Sequence, residues 1–437
     1  AVEAVEGAQA EIAALRELWL RLVAISSDIV ATEPIPGQLA DIGWTGGEAI
    51  SDSQQMVHYY RTTADGRIVF GKGGWGIALA GRIPPSFDRH DGRAADVEAD
   101  FRAIYPGLGS VAIAEHWSGP IDRSPSGIPL LGRLGGRGHI FYGVGWSGNG
   151  VGPSRLGGKI LAPLALGRRG LASRTVTTSL GVVHAYDGAG AGDLPTMCIL
   201  HGFGSAASAF APLLLRLQPH ARRVVAPEMI GHGFSEIPRE ELDSERLFGA
   251  MREALDQLLP EPSVVLGNSL GGALALRYAV ARPERVSALI LVSPAGAPME
   301  HHELGGVKRD FSFDTHHDAR RFLGRLYARP KWFAPLLAPD VKAHFDQGHL
   351  RDFLQNARVE DAVSEEQVRA LPMPVLFVWG KEERVLPASG LDFFKRALPA
   401  HAEVVEPEGF AHCPHVDDPE RLARYVLDFA RAGAKRA

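Results

Sequence analysis

Cysteine is nearly absent. Cys198 and Cys413 are the only two in 437 residues, so no disulfide framework staples the fold and a reducing, cytoplasmic compartment is expected. No apolar run approaches the ~18 residues that cross a bilayer, so no membrane span is expected. The opening AVEAVEGAQAEIAA is acidic and lacks a greasy stretch, so no signal peptide is expected there. Ala1 stands where Met would, from which a missing upstream segment is expected. Basic charge is not in excess either. At a net charge of −5 there is no electrostatic case for nucleic acid or an anionic membrane as partner. The 50 glycines and 30 prolines stay below the roughly 25–30% of low-complexity chains, so long disorder is excluded. What remains is ordinary: 45% apolar and 22% charged residues, in a length that suits two large domains or three of ~150 residues. Oligomeric state is not legible.

The pattern changes near Gly167-Arg168-Arg169-Gly170-Leu171-Ala172-Ser173, a short, basic, Gly-bounded stretch after a helix-like run over 155–166. This places one region at 1–170 and another at 174–434. Before it, strands over 56–62 and 67–71 flank Ala64-Asp65-Gly66, whose Asp-Gly pair favours a hairpin turn. Residues 96–104 have helical spacing, with Val97, Phe101 and Ile104 on one face. Two more strands are read at 111–117 and 139–144. After the boundary, apolar runs of four to six residues at 197–200, 223–226, 264–267, 288–292 and 375–379 alternate with amphipathic helices. Such runs suit strands buried on both faces of a parallel sheet.

The sharpest signal is Gly267-Asn268-Ser269-Leu270-Gly271-Gly272, between a strand and a helix expected over 273–281. In G-x-S-x-G the Ser sits on a strained turn that a Cβ two residues away would obstruct. A bland reading is a Gly-rich turn that happens to contain Ser; the flanking strand and helix favour a nucleophile. Its partners would be a base, an orienting acid and oxyanion donors. Downstream stand Gly380-Lys381-Glu382-Glu383 through Pro387, then His412 in a loop before a helix over 419–432. The chain order Ser, acid, His is that of the α/β-hydrolases, and residues 175–432 resemble that family. His201-Gly202-Phe203-Gly204 is similar to its HG-x-x loop. The run Glu228 to Ser235 is similar to its D-x-x-G-x-G-x-S, with Glu in place of Asp, and Glu383 stands where the family carries an acidic Asp. The resemblance implies an α/β-hydrolase fold in which Ser269 attacks a carbonyl, His412 shuttles the proton and Glu383 orients His412. Glu382 is the lesser choice of acid. The amides of Phe203 and Leu270 would hold the oxyanion. Some relatives move the acid to a position that reads Ser293-Pro294-Ala295 here, without a carboxylate.

Between 299 and 370 helix-like segments at 318–327, 331–337 and 341–357 interrupt the sheet pattern, as a lid would. Phe333, Leu336, Leu337, Phe345 and Phe353 are candidates to line a substrate channel, or only to glue the lid down. His301-His302 and His316-His317 invite a metal, but no Cys or spaced carboxylate completes a ligand set, so none is expected.

Residues 14–169 resemble the C-terminal part of FAD-dependent amino-acid and amine oxidases of the D-amino-acid-oxidase type. The matching stretches are Val30 to Pro36, His58 to Thr62, Trp117 to Ile121 with Gly127 to Gly132, and Tyr142 to Val151. The resemblance implies an α+β partial FAD-oxidoreductase segment in which Gly148, Asn149, Gly150 and Val151 approach the flavin ring, a helix N-terminus facing its carbonyl oxygens. Gly143 to Gly148 matches G-x-G-x-x-G literally, yet it opens no βαβ unit and no acid follows ~20 residues on, so it is not read as a dinucleotide fingerprint. FAD is therefore expected only if a nucleotide-binding region is supplied from elsewhere, and the hydrolase needs no cofactor.

The reading is α/β class: an oxidoreductase-like segment fused to a serine hydrolase with a helical lid. Its substrate would be a small to medium carboxylic ester, cleaved through a Ser-His-Glu triad and an acyl-enzyme. HGFG in place of HGGG argues against bulky tertiary-alcohol esters. Alternatives are a bifunctional FAD-dependent amine or amino-acid oxidoreductase, a C–C bond or thioester hydrolase, and a silent binding module.

Overall fold

The computed structural model describes residues 21–54, 56–78, 82–133, 140–148, 151–329, 331 and 334–434. The chain divides into two compact units, residues 1–161 and 162–437. The division falls inside the helix Val151–Arg168, ahead of the Gly-bounded stretch expected to part them. Leu166 and Leu171, 3% and 1% exposed, are buried in a core of the second unit, and its first strand starts at Ala172.

In the first unit the strands are β1 (Val23–Thr32), β2 (Ala49–Ser51), β3 (His58–Thr62), β4 (Ile68–Ala78) and β5 (Ile113–Arg123), followed by a separate ladder of β6 (Leu130–Arg133) and β7 (Phe141–Val144). The larger sheet runs β2-β3-β4-β1-β5 and every pairing in it is antiparallel. The expected hairpin forms: Gly66 takes φ +83 between β3 and β4. The helix Asp91–Ile104 buries Ala94, Val97 and Phe101, spaced three and four, against Val30, Phe70 and Trp44. Ile104, expected on that face, is instead exposed, because it ends the helix where the chain turns away.

The second unit carries one eight-stranded sheet. Its strands are β8 (Ala172–Thr178), β9 (Gly181–Ala189), β10 (Met197–Leu200), β11 (Arg223–Pro227), β12 (Ser263–Ser269), β13 (Val286–Pro294), β14 (Val375–Val378) and β15 (Glu403–Val405). They run in the order β15-β14-β13-β12-β10-β11-β9-β8. Pairing is parallel from β11 through β15, while β8 and β9 join antiparallel. Alternate residues feed two cores. Leu289, Leu291 and Phe377 face the helices Ser244–Leu258, Leu270–Ala281 and Ala388–Ala397. Ile290, Val292 and Leu376 face Ala211–Leu217 and Pro419–Ala434. With both faces covered, an alternating strand would bury polar groups, which is why the runs are continuously apolar.

Between β13 and β14 lie the helices His301–Asp310, His316–Leu326, Ala334–Phe345, Gly348–Asn356 and Glu365–Arg369. The single helix expected over 341–357 is broken at Asp346-Gln347. Gly348, a poor helix former, opens the next helix, which turns Leu350 and Phe353 inward. Phe333 and the side chain of Leu336 lie outside the described residues.

Candidate active site

In the second unit, every loop that carries a candidate catalytic residue leaves the carboxyl end of a parallel strand, where open α/β sheets place their ligands. Ser269 closes β12 in a conformation few L-residues adopt, φ 54 and ψ −121, and the helix Leu270–Ala281 follows at once. The surrounding glycines are sterically required. A Cβ on Gly267 would overlap the carbonyl of Gly271, and one on Gly271 would overlap the carbonyls of Leu200 and His201. The strand and helix can approach that closely only without side chains.

Glu383 follows β14 and His412 follows β15. His412 donates from Nδ1 to Glu383 Oε2 at 2.8 Å, with side chains 4% and 2% exposed. The other carboxylate oxygen accepts the amides of Val385 at 2.7 Å and Leu386 at 3.1 Å. Burial alone would raise the pKa of Glu383; the His412 charge, its hydrogen bond and the two amides overturn that and hold the carboxyl down at about 2. Glu382 points elsewhere, accepting the amide of Gly409 at 2.9 Å near the surface. At the β13 end, Ser293 is fully buried and no acid stands there.

The 201–204 loop follows β10 and is pinned by two imidazoles whose part the sequence reading missed. His201 donates from Nδ1 to the Gly202 carbonyl (2.8 Å) and accepts the Met229 amide on Nε2 (3.0 Å). His232 donates to the Ile230 carbonyl (3.0 Å) and accepts the Gly204 amide on Nε2 (3.0 Å). Burial lowers the pKa of both, which keeps an acceptor lone pair on each. Asn268 was also missed. Its Nδ2 donates to the carbonyls of Val292 (3.1 Å) and His412 (3.0 Å), tying the Ser turn to the His loop. The signal was the residue before Ser269, read only as a spacer. Glu228, in the Asp position of the neighbouring loop, is 1% exposed and accepts the Phe234 amide at 2.6 Å.

Two cavities share Phe203, Ser269 and Phe311 in their walls. One, about 200 Å³, also holds His412, Leu337 and Phe345; the other, about 150 Å³, also holds Leu270, Phe353 and Arg277. The helices between β13 and β14 meet the 201–204 loop in an aromatic cluster, with Phe203 5.7, 5.5 and 5.4 Å from the rings of Phe311, Phe345 and Phe353. Ser269 and Phe203 thus line both cavities, and His412, held from behind by Glu383, joins them in the 200 Å³ one. Among the described residues no group of three or more His, Cys, Asp or Glu is placed to hold a metal, and no helix is long and apolar enough to cross a membrane.

In the first unit Asn149 and Gly150 lie outside the described residues, and of Val151 only the backbone is described, at the start of a helix. Gly148 takes φ +88 and lines a cavity of about 240 Å³ with Ser27, Tyr59 and Arg123. The preceding loop is held by Asp122, whose carboxylate accepts the Gly145 amide at 2.6 Å and whose carbonyl accepts the Ser147 amide at 2.9 Å. The described residues of the first unit do not fit FAD as a whole: their five-stranded sheet is antiparallel throughout and holds no βαβ unit to seat a dinucleotide.

A family model described as "Alpha/beta hydrolase family" matches residues 199–425, and one described as "FAD dependent oxidoreductase" matches residues 6–164. The 2-hydroxymuconate semialdehyde hydrolase of Pseudomonas putida is 30% identical over 222 residues, 48% of this chain and 76% of that one. The pimeloyl-[acyl-carrier protein] methyl ester esterase of Yersinia enterocolitica is 30% identical over 250 residues, 54% and 93%. For the first region, "Probable oxidoreductase OrdL" of Haemophilus influenzae is 31% identical over 147 residues, 34% of this chain and 31% of that one, so the chain spans about a third of that relative's length. The carboxylesterase CesB structure from Bacillus subtilis shares the fold, at a TM-score of 0.53 and 22% identity over 64% of this chain and 98% of that one. The chain belongs to the alpha/beta hydrolase family, with an FAD-dependent-oxidoreductase-type region ahead of its hydrolase domain.

Proposed function

We propose that the chain is a serine hydrolase of small to medium carboxylic esters, with Ser269 as nucleophile, His412 as base and Glu383 as orienting acid. The observation that carries this reading is the buried 2.8 Å His412–Glu383 bond behind a strained Ser269 that shares a cavity wall with His412. Glu383 accepts from Nδ1, which leaves Nε2 of His412 to take the Ser269 hydroxyl proton. Ser269 Oγ adds to the ester carbonyl, and the oxyanion meets the amides of Phe203 and Leu270. His412 returns the proton to the departing alcohol. Water then repeats the sequence on the acyl-enzyme and releases the acid. The neutral clamps His201 and His232 keep the 202–204 loop in place throughout. A carboxylate held at about 2 stays ionised at any working pH, so the orienting charge is always present.

The sequence around Ser269 and the relative named 2-hydroxymuconate semialdehyde hydrolase favour one second reading, C–C bond cleavage at the same three residues. FAD, in this reading, binds only with a nucleotide-binding region supplied from elsewhere, and the hydrolase works without it. The test is a panel of 4-nitrophenyl esters from acetate to decanoate. Ser269→Ala should lower kcat by about 10⁴–10⁶. Activity within tenfold of wild type would end the assignment.

A further inference from the structure

The helix behind Ser269 reads LGGALALRYAVA, in which Arg277 is the one charged residue. Leu270, Ala273 and Arg277, spaced three and four, share one helical stripe, and all three line the 150 Å³ cavity that opens from Ser269. The floor of that cavity therefore runs from the Leu270 amide to the residue that carries a guanidinium two turns on, about 10.5 Å along the axis. The long Arg side chain leans back toward the helix N-terminus and shortens this span.

A guanidinium in an apolar wall is costly unless solvated or paired. Arg277 is half-buried and also lines an outer pocket of about 350 Å³, which shares Phe248 and Val363 with the inner one. Its Cζ lies 4.2 Å from the centre of the Phe248 ring. Stacking on one face leaves the N–H edge available. Among the described residues Arg277 has no ion-pair partner. Asp361, the carboxylate in the same cavity wall, accepts the Ser244 hydroxyl at 2.6 Å and the Arg358 amide at 2.9 Å on one oxygen, Oδ2, and forms no ion pair with Arg277 among the described residues. Glu245 and Arg252 stand with Arg277 in the outer pocket, and exposed Arg358 adds positive charge at the inner rim.

We propose that Arg277 makes this cavity a subsite for acyl groups that end in a carboxylate, so that the preferred substrates are medium-length half-esters of dicarboxylic acids, the ester end at Ser269 and the free acid at the guanidinium. The identity of the ester end rests on the hydrolase reading above; the carboxylate subsite does not. An apolar cavity without a cation would favour the uncharged chain, because a carboxylate entering it loses its water.

The test compares 4-nitrophenyl hexanoate with mono-4-nitrophenyl adipate, which differ only in the far end. Wild type should favour the adipate in kcat/KM. Arg277→Met should cut the adipate-to-hexanoate ratio about 10- to 100-fold, as expected for a lost charge-assisted hydrogen bond, with Arg277→Lys in between. A wild-type preference for hexanoate, or a ratio unmoved by Arg277→Met, would overturn the proposal. Calorimetry on the Ser269→Ala chain with monomethyl adipate and methyl hexanoate reads the same preference without turnover. Tighter adipate binding that Arg277→Met abolishes supports the subsite even if ester hydrolysis fails; equal binding of the two probes refutes it.

Discussion

Glu383 and Glu382 are adjacent and chemically alike, yet the fold gives them opposite surroundings. One is sealed against His412 and two amides, and the other accepts a single amide at the surface. Glu383→Gln should therefore lower kcat by about 10²–10⁴, whereas Glu382→Gln should stay within about threefold. The pair also makes a stability prediction. The folded pKa of Glu383 lies below its ordinary 4.5, at about 2. The stabilisation it confers, about 3 kcal/mol at most, is complete above pH 4.5 and lost as pH falls toward 2. The gap in unfolding free energy between wild type and Glu383→Gln should narrow over that window; a gap independent of pH would show that the carboxylate is not stabilised as described. Ser269, Glu383 and His412 were legible because each stands at a fixed offset from glycines, prolines and a strand. Asn268, His201 and His232 were not, since their hydrogen-bond partners are distant in sequence. At φ 54 any Cβ is strained, so Ser269→Ala leaves the turn as strained as Ser does and only Gly would relieve it.

The Ser turn works as an element because β12 and the helix Leu270–Ala281 are pressed together through glycines. Gly271→Ala should cost at least about 2 kcal/mol, as its Cβ meets the carbonyls of Leu200 and His201, which cannot move without shifting the 201–204 loop. Gly249→Ala, on the helix Ser244–Leu258 where nothing lies within 4 Å, should instead stabilise by about 0.5–1 kcal/mol. Denaturation midpoints of the two variants moving in the same direction would contradict this account. The five central strands β10 to β14 were readable as short apolar runs because both their faces are buried; β8, β9 and β15, at or beside the sheet's edges and carrying polar or exposed positions, were not read. Lid boundaries were less so. The break before Gly348 depends on Phe353 finding the core and the Phe203 ring, which no local spacing encodes.

At the scale of the whole chain, composition and motif order distinguished the two regions, but the boundary read from local glycines came too late. Leu166 and Leu171 belong to the core of the second unit, and Ala172 opens its outermost strand. A fragment of residues 162–437 should therefore be soluble and as active per site as the full chain. One starting at 174 should be less stable by about 3 kcal/mol or more, with two buried leucines gone. Residues 1–161 alone should bind no FAD with useful affinity; stoichiometric 450 nm absorbance would contradict that. The reactivity of the Ser269 hydroxyl tests its assignment as the nucleophile most directly. Treatment of the full chain with a fluorophosphonate, followed by peptide mass spectrometry, should place a single adduct on Ser269, formed markedly more slowly in Glu383→Gln and not in Ser269→Ala. An unlabelled protein, or an adduct on any other serine, would contradict the assignment of Ser269 as the nucleophile.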